Sequence, residues 1–247
     1  FGPERAHLPM RLAARPVAAA LRAWDVATAP RVHHFAANSR YVAARIQRYY
    51  GRDSEVIPPP ADTAFYTPNG EAAAGYDLVV SALVPYKRVE LVLEAYRGTG
   101  RVLKVVGTGP QADRLRALAP PEATFLGGVS DLELRDLYRG CRAVIMPSVE
   151  DFGIVPVEAM ACGRPAVVFA EGGGPESVIE GETGLVFREA TPEALRAVVD
   201  SLGTVRFNSA ALRARAESFS RDTFEARFRA FVERALRTAA PQWAPPW

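Results

Sequence analysis

Adjacent cations follow one of the short apolar runs of the sequence, and their type suits the binding of a phosphorylated ligand. Lys87 and Arg88 come after the run 78–82, where a helix is predicted to begin. A positive charge at the start of a helix is unfavourable unless an anion lies beside it. A phosphate would satisfy both charges, although ordinary surface charges fit the pattern equally well.

Two glutamates, Glu150 and Glu158, follow another apolar run with seven residues between them. Pro156 suits the first turn of a helix that begins near Ile154. The amides around Gly153 would then be free donors for an anion. Glu158, one turn further along, is placed to accept hydrogen bonds from two vicinal ribose hydroxyls. For either glutamate alone, a solvated acid at a helix start is the alternative.

Two glycine-rich turns accompany these charged residues. Gly107 and Gly109 follow the run 102–106, and their missing side chains allow a flat or anionic ligand to approach the backbone. The glycines of 172–174 offer further amides before a helix. The first turn lacks both the third glycine of a dinucleotide fingerprint and the lysine of a phosphate loop, so a tight turn explains it equally well.

The elements that must position these loops alternate regularly along the chain. Strand, helix and strand in repetition predict an α/β fold, a doubly wound parallel Rossmann-like sheet with helices on both faces. In such a sheet the ligand binds beyond the carboxyl ends of the strands. The predicted strands are 78–82, 102–106, 124–126, 143–146 and 166–169. The predicted helices are 40–50 after a cap at Asn38 or Ser39, 88–96, 111–118, one opened by a Ser130–Glu133 capping box, one from Thr191–Pro192, and 223–236.

The first 60 residues do not share this alternation. An apolar stripe predicts an amphipathic helix that would suit a membrane surface, but we favour a packed helix with a solvated basic face because Pro16 breaks the stripe. The stripe consists of Met10, Leu12, Val17, Leu21 and Trp24. Prolines 58–60 then predict a hinge. We therefore divide the chain into a residual N-terminal-domain segment with its hinge (1–60), a ligand-binding Rossmann-like domain (61–221), and a C-terminal helix with a tail (222–247) in which Trp243 and Trp247 are available for packing.

Composition and residue inventory argue against several classes of protein. The chain is 49% hydrophobic and 23% charged with a net charge of +2, which indicates a globular protein without the charge of a nucleic-acid binder. Its apolar runs fall short of the roughly 20 residues that span a bilayer. The three histidines, His7, His33 and His34, all precede the predicted sheet, and no Asp-x-Asp pair is present. A zinc site or a Ser-His triad is therefore not expected. Cys141 and Cys162 suit buried thiols in a reducing compartment.

Taken together, the loops resemble those of family 4 of the retaining glycosyltransferases with the GT-B fold. Glu150 to Glu158 matches the E-x7-E element of that family. The other matching segments, in the family's order and spacing from Arg22 onward, are 81–88, 106–110, 125–130 and 172–178. The sequence of 150–158 is similar to that of the bacterial mannosyltransferase branch that builds lipid-linked surface polysaccharides. The pairs Trp24-Asp25, Asn38-Ser39 and Pro58-Pro59 share this similarity.

The resemblance implies a role for each matching residue. Lys87 would neutralise the donor diphosphate with Arg88 beside it, and Glu150 would complete the catalytic set. Many relatives carry arginine at the position of Ala82, so half of the usual cationic clamp is missing here. The implied donor-binding residues are Phe152, Gly153 and Ile154 through their amides, Glu158 for the ribose, and Gly107, Gly109, Val129 and Ser130 around the base.

The resemblance also implies an overall reaction. We expect transfer of a hexose with retention from a nucleotide sugar, with GDP-mannose favoured and a UDP-sugar as the alternative, to a lipid-linked or polysaccharide acceptor. No metal and no cofactor are expected. A nucleotide-binding module without turnover is the second alternative, suggested by Ala82.

Location and assembly follow from the same resemblance. We expect a cytoplasmic protein, in peripheral contact with the inner face of the membrane. Most of the family's first domain has no counterpart in these 247 residues, so we expect this chain alone to bind the donor without transferring the sugar. Apolar surface left by that domain would favour a homodimer or a folded-back N-terminal segment.

Overall fold

The computed structural model describes residues 8–239, with side chains from 14 to 238. Within that range the chain forms strands in two parallel sheets, flanked by helices. The strands are β1 (Phe35–Ala37), β2 (Ser54–Val56), β3 (Tyr76–Val80), β4 (Val102–Val106), β5 (Ala123–Gly127), β6 (Cys141–Met146), β7 (Ala166–Phe169) and β8 (Gly184–Phe187). The helices are α1 (Leu8–Thr28), α2 (Arg40–Tyr50), α3 (Val89–Tyr96), α4 (Ala112–Leu118), α5 (Asp131–Gly140), α6 (Val155–Ala161), α7 (Gly174–Ser177), α8 (Pro192–Ser201), α9 (Ser209–Glu217) and α10 (Arg221–Ala239).

The larger sheet has six parallel strands in the order β5-β4-β3-β6-β7-β8. The order reverses between β3 and β6, because the chain adds strands first on one side of β3 and then on the other. The predicted doubly wound α/β sheet is confirmed. A reversal of this kind opens a crevice at the carboxyl ends of the two central strands, which is where ligands bind in such folds.

Helices cover both faces of this sheet. Val79 and Ile145 point into one core with α3 and α8, whereas Leu78 and Val144 point into the other with α6 and α9. Alternate residues of one strand therefore reach opposite cores, which is why the stretches 78–80 and 143–146 of these strands are apolar without interruption. All four residues of β7 are buried. This packing makes the sheet a rigid base for the loops at its carboxyl edge.

The helix boundaries follow the capping signals of the sequence. Ser39 accepts a hydrogen bond from the amide of Val42, and Gly51 ends α2 in the left-handed conformation. Ser130 and Glu133 form the predicted capping box of α5. All five predicted strands of the larger sheet match to within two residues at each end, and the first, β3, lies two residues earlier than predicted. In the larger sheet β8 was not predicted, and neither was the helix α9.

Two expectations for the N-terminal helix are wrong. α1 runs through Pro16 without a break, since proline removes one hydrogen bond and water can reach the carbonyl left free on an exposed helix. The described part of α1 is also not packed: Leu21 is 59% exposed and Trp24 is 65% exposed. Met10 and Leu12 lie outside the described side chains, and His7 and the tail with Trp243 and Trp247 lie outside the described residues.

The last helix returns to the beginning of the chain. Arg234 of α10 pairs with Glu55 of β2, and the rings of Phe231 and His34 meet edge to face at 6.4 Å. α10 nevertheless leaves Phe228 and other apolar side chains in solvent. In the described part of the chain, no helix has the combination of length and apolarity that crossing a membrane needs.

Candidate functional site

Lys87 and Glu150 meet at the point where the strand order reverses. Lys87 ends a short turn after β3, and Glu150 lies in the loop after β6. The Nζ atom of Lys87 donates to Oε1 of Glu150 at 2.7 Å, and the hydroxyl of Ser148 donates to the same oxygen at 2.5 Å. The two charged side chains retain only 20% and 16% exposure. Two residues that the sequence predicted for one site are thus in direct contact.

This ion pair leaves the lysine able to bind a further partner. An ammonium group carries three N–H donors, and the hydrogen bond to Glu150 uses one of them. The ring of Tyr86 lies under the ammonium at 5.2 Å and contributes a second favourable contact. A partly exposed cation held in place by a carboxylate is suited to an anionic ligand, because the side chain is ordered before the ligand arrives.

Arg88 occupies a different position from its neighbour. It is the only described residue other than glycine with a positive φ, at 52°, a conformation that costs a side chain free energy. Its guanidinium lies over the ring of Phe169 at 5.0 Å, and its Nη1 atom is buried without a hydrogen-bond partner. Among the residues described, no ion pair joins Arg88 to Glu150, so its predicted place beside the diphosphate stays a prediction.

The loop after Glu150 presents a run of backbone amides. Within the described chain the N–H groups of Phe152, Gly153 and Ile154 donate to no protein acceptor. The ring of Phe152 is buried against Phe219 at 5.4 Å, which anchors the loop in the core. Gly153 has φ +86°, a conformation that favours glycine. These amides are unpaired within the described chain, and their contact with a ligand remains a prediction.

The glycines at the strand ends have a structural reason that the sequence analysis did not foresee. A Cβ atom on Gly107 would lie 1.8 Å from the carbonyl oxygen of Ser81, and one on Gly109 would lie 2.5 Å from that of Leu83. The amide of Leu83 bonds the carbonyl of Thr108 at 2.8 Å. The close approach is therefore between two loops of the protein, and contact of these glycines with a base remains a prediction.

The second glycine-rich turn packs in the same way. A Cβ atom on Gly172 or Gly173 would meet the carbonyl oxygens of Glu150 and Asp151 at 2.6 and 2.1 Å. The amide of Gly173 donates to the carbonyl of Glu150 at 2.7 Å and is not free. The turn thus supports the loop that carries Glu150.

Glu158 lies on α6 and contacts a residue that the sequence did not single out. Its Oε2 atom accepts a hydrogen bond of 2.7 Å from the hydroxyl of Tyr138 on α5. Burial raises the pKa of Glu158, the hydrogen bond from Tyr138 lowers it, and the carboxylate of Asp131 raises it. Glu158 is thus a largely buried acid kept near a hydroxyl donor.

The residues predicted around the base are partly engaged within the protein. The amide and hydroxyl of Ser130 both donate to Oε2 of Glu133 at 2.8 Å. Val129 packs against the core that contains Tyr138. Within residues 8–239, no group of three or more His, Cys, Asp or Glu side chains is arranged to hold a metal ion.

Residues 75–219 match the family described as Glycosyl transferases group 1. The chain belongs to this family. It is 30% identical over 195 residues to the GDP-mannose-dependent alpha-(1-6)-phosphatidylinositol monomannoside mannosyltransferase of Mycolicibacterium smegmatis, covering 66% of this chain and 51% of that protein. It is 32% identical over 224 residues to the D-inositol 3-phosphate glycosyltransferase of Rhodococcus jostii, covering 74% and 48%. This group 1 glycosyltransferase chain thus spans about half the length of these relatives.

Solved structures with the same fold include GT-B glycosyltransferases. HepE of Anabaena, in complex with UDP and glucose, superposes with a TM-score of 0.74 at 22% identity, covering 86% of this chain and 66% of that one. Sucrose-phosphate synthase of Thermosynechococcus elongatus gives a TM-score of 0.72 at 22% identity, covering 82% and 58%. The GT-B fold predicted from the sequence is confirmed.

Two further contacts of the candidate site escaped the sequence analysis. The carboxylate of Glu176 accepts hydrogen bonds from the amides of Arg40 and Tyr41, both at 2.9 Å. The side chain of Arg45 pairs with Asp151 at 2.8 Å, next to Glu150. Helix α2 is therefore tied to the loops that surround the site. Each contact joins residues more than 100 positions apart, so no local pattern announces it.

Proposed function

We propose that this chain holds the nucleotide-sugar donor of a retaining hexosyl transfer, with GDP-mannose as the favoured donor. The observation that carries the proposal is the contact between Lys87 and Glu150 at the reversal of the strand order, beside the free amides of 152–154. A cation and free amides suit a diphosphate, and a carboxylate suits sugar hydroxyls. Membership of a glycosyltransferase family supports a nucleotide sugar as the ligand that these groups would bind together.

We propose that each part of the donor is bound by a different group of the predicted residues. Lys87 has two N–H donors left for the diphosphate. The amides of 152–154 lie beside Glu150. The amides would bind the distal phosphate, and Glu150 would bind the sugar. Glu158, one helical turn beyond the free amides, would accept hydrogen bonds from the ribose. The positive charge that offsets the diphosphate would come from side chains and amides, so we propose that the reaction needs no metal ion and no cofactor.

The identity of the nucleotide rests on the relatives. The mannosyltransferase of Mycolicibacterium smegmatis is named as GDP-mannose-dependent, and its likeness to this chain favours GDP-mannose. HepE has been solved with UDP and with UDP-glucose, which supports the alternative of a UDP-sugar. A nucleotide-binding module without turnover is a second candidate, favoured by the exposed Ala82 in the loop after β3.

The acceptor would be held by the part of the transferase that this chain does not share with its relatives. We propose a lipid-linked or polysaccharide acceptor at the inner face of the membrane, with the protein in the cytoplasm. Positioning an acceptor hydroxyl contributes roughly 7–11 kcal/mol to such a reaction. The 247 residues alone should therefore bind the donor without sustained transfer.

Calorimetric titration of this chain with GDP, UDP, GDP-mannose and UDP-glucose tests the proposal. We expect GDP and GDP-mannose to bind more tightly than their uridine counterparts. Tighter binding of UDP and UDP-glucose would establish the alternative donor, and absence of binding by all four would refute a donor site. Incubation with GDP-mannose and a polyprenyl-linked glycan, with light scattering in parallel, then tests transfer and self-association. Sustained transfer by this chain would show that the active site has been misplaced.

A further inference from the structure

Tyr138 is a fully buried residue whose hydroxyl serves a single partner. Its ring packs edge to face on Tyr66 at 5.5 Å, in the core shared by α5 and α6. Its hydroxyl donates to Oε2 of Glu158 at 2.7 Å. Because the ring is fixed by packing on a helix, the hydroxyl holds a fixed position, and the carboxylate that it contacts is fixed in turn.

The other oxygen of Glu158 remains open. Oε1 accepts no hydrogen bond from the described residues, and it is not shut away from solvent. A carboxylate has about four acceptor sites on its two oxygens. The protein therefore uses one oxygen to orient the group and leaves the second oxygen to accept hydrogen bonds from a ligand.

We propose that Tyr138 is a positioning residue of the nucleotide site, holding Oε2 of Glu158 so that Oε1 is presented to the ribose hydroxyls. This inference rests on the proposed role of Glu158 and adds a residue to it. Hydrogen bonds to an ionised group are shorter and stronger than neutral ones, so the contact also keeps Glu158 in the ionised form that accepts from two hydroxyls.

The groups around Glu158 determine the direction in which its pKa should change when Tyr138 is substituted. Burial raises the pKa of Glu158, the hydrogen bond from Tyr138 lowers it, and the carboxylate of Asp131 on α5 raises it. Tyr66, in the segment that precedes β3, and Cys162, at the end of α6, also interact with Glu158 electrostatically. Removing the Tyr138 hydroxyl therefore raises the pKa of Glu158, and binding that needs the carboxylate is lost at a higher pH.

Titration with GDP across the acid range compares Tyr138→Phe with the matched control Tyr66→Phe. Tyr66 loses a hydroxyl in the same cluster, although that hydroxyl is not hydrogen-bonded to Glu158. We expect Tyr138→Phe to weaken GDP roughly tenfold at neutral pH and to move the acid midpoint of binding up by about one pH unit. Tyr66→Phe should match the wild type in both. If Tyr138→Phe binds GDP with the affinity and midpoint of the wild type, Tyr138 has no positioning role.

Two further measurements separate this inference from the proposed function. Carbon NMR of the Glu158 carboxyl in the ligand-free chain should show a higher pKa in Tyr138→Phe, and an unchanged pKa would overturn the inference without any ligand. The double variant Tyr138→Phe/Glu158→Gln should bind GDP with the same affinity as Glu158→Gln, because the hydroxyl acts through the carboxylate. If the losses of affinity from the two substitutions add up, Tyr138 is a packing residue. A wild type that binds no GDP would refute the proposed function and the nucleotide role of Tyr138 together.

Discussion

Replacing Lys87 by alanine tests the proposed donor site most directly. The change removes the ammonium group that lies 2.7 Å from Glu150 and leaves that carboxylate with Ser148 as its hydrogen-bond donor. In the ligand-bound state, Lys87→Ala would lose a hydrogen bond to a charged group, which contributes about 1.5–3 kcal/mol. Binding of GDP should weaken by about 10- to 150-fold, and turnover of a full-length transferase should fall by roughly 10² to 10³.

The matched control is the chain's other lysine. Lys104 lies within β4 with its ammonium over the ring of Tyr76 at 3.8 Å, away from the carboxyl edge of the sheet. Lys104→Ala makes the same change in net charge and should leave the affinity for GDP near that of the wild type. Calorimetric titration of both variants at two ionic strengths separates a local contact from a general effect of charge, since long-range attraction weakens with salt.

One outcome would refute this reasoning. If Lys87→Ala binds GDP as tightly as Lys104→Ala does, the diphosphate is held by Arg88 or by the amides. The double variant Lys87→Ala/Glu150→Gln adds a further test, because an unpaired carboxylate near the phosphates would repel them. Partial recovery of GDP affinity in the double variant is expected.

Four other outcomes follow from the structure. Glu158→Gln should weaken free GDP and nucleotide sugars by about 1–3 kcal/mol, whereas Glu150→Gln should weaken only the sugar-bearing ligands. Equal loss of free GDP in both variants would contradict this division. Burial raises the pKa of Glu158 in the folded chain, so above that pKa the ionised carboxylate lowers the stability of the fold. Glu158→Gln should therefore raise Tm at neutral pH. This gain should disappear below the unfolded pKa of about 4.3, where Glu158 is protonated in both states. Excess chelator should leave GDP binding unchanged in calorimetry, and a requirement for magnesium or manganese would refute the metal-free site. Gly107→Ala should cost about 2 kcal/mol or more in urea unfolding, since its Cβ would lie 1.8 Å from the oxygen of Ser81. Gly128→Ala, whose Cβ would make only an ordinary contact of 3.7 Å with Cγ2 of Thr108, is the control and should cost less than half as much.

The sequence predicts those parts of the fold that local rules determine. The capping box of Ser130 and Glu133 and the helix between Ser39 and Gly51 use signals a few residues long, and the structure has both. The apolar stretches 78–80 and 143–146 of the two strands next to the reversal were also predictable, because these strands are covered on both faces. β8 was missed because it includes Gly184, and glycine is not a residue typical of strands. The structure shows why glycine is needed there: a Cβ atom would lie 2.2 Å from the oxygen of Ala166.

The site itself was predictable only in part. The topology explains why residues after β3 and β6 meet, so the loops of Lys87 and Glu150 could be placed at one edge from the sequence. The partner of Glu158 could not be predicted from the sequence, although a tyrosine on the buried face of α5 needs an acceptor for its hydroxyl. Only the packing of α5 beside α6 shows that Glu158 is the acceptor for Tyr138.

The carboxylate of Glu176 has a consequence for the order in which the chain folds. Helix α2 leaves the ribosome before α7, and two of its first amides find their acceptor on a residue made 136 positions after Arg40. At roughly 5–20 residues per second, that delay is about 7–27 s. An isolated helix of 11 residues is marginal in water, so α2 gains its full first turn only when the sheet that carries α7 has formed. Helix α2 is therefore synthesised before the loops that it contacts and becomes fully ordered only after them.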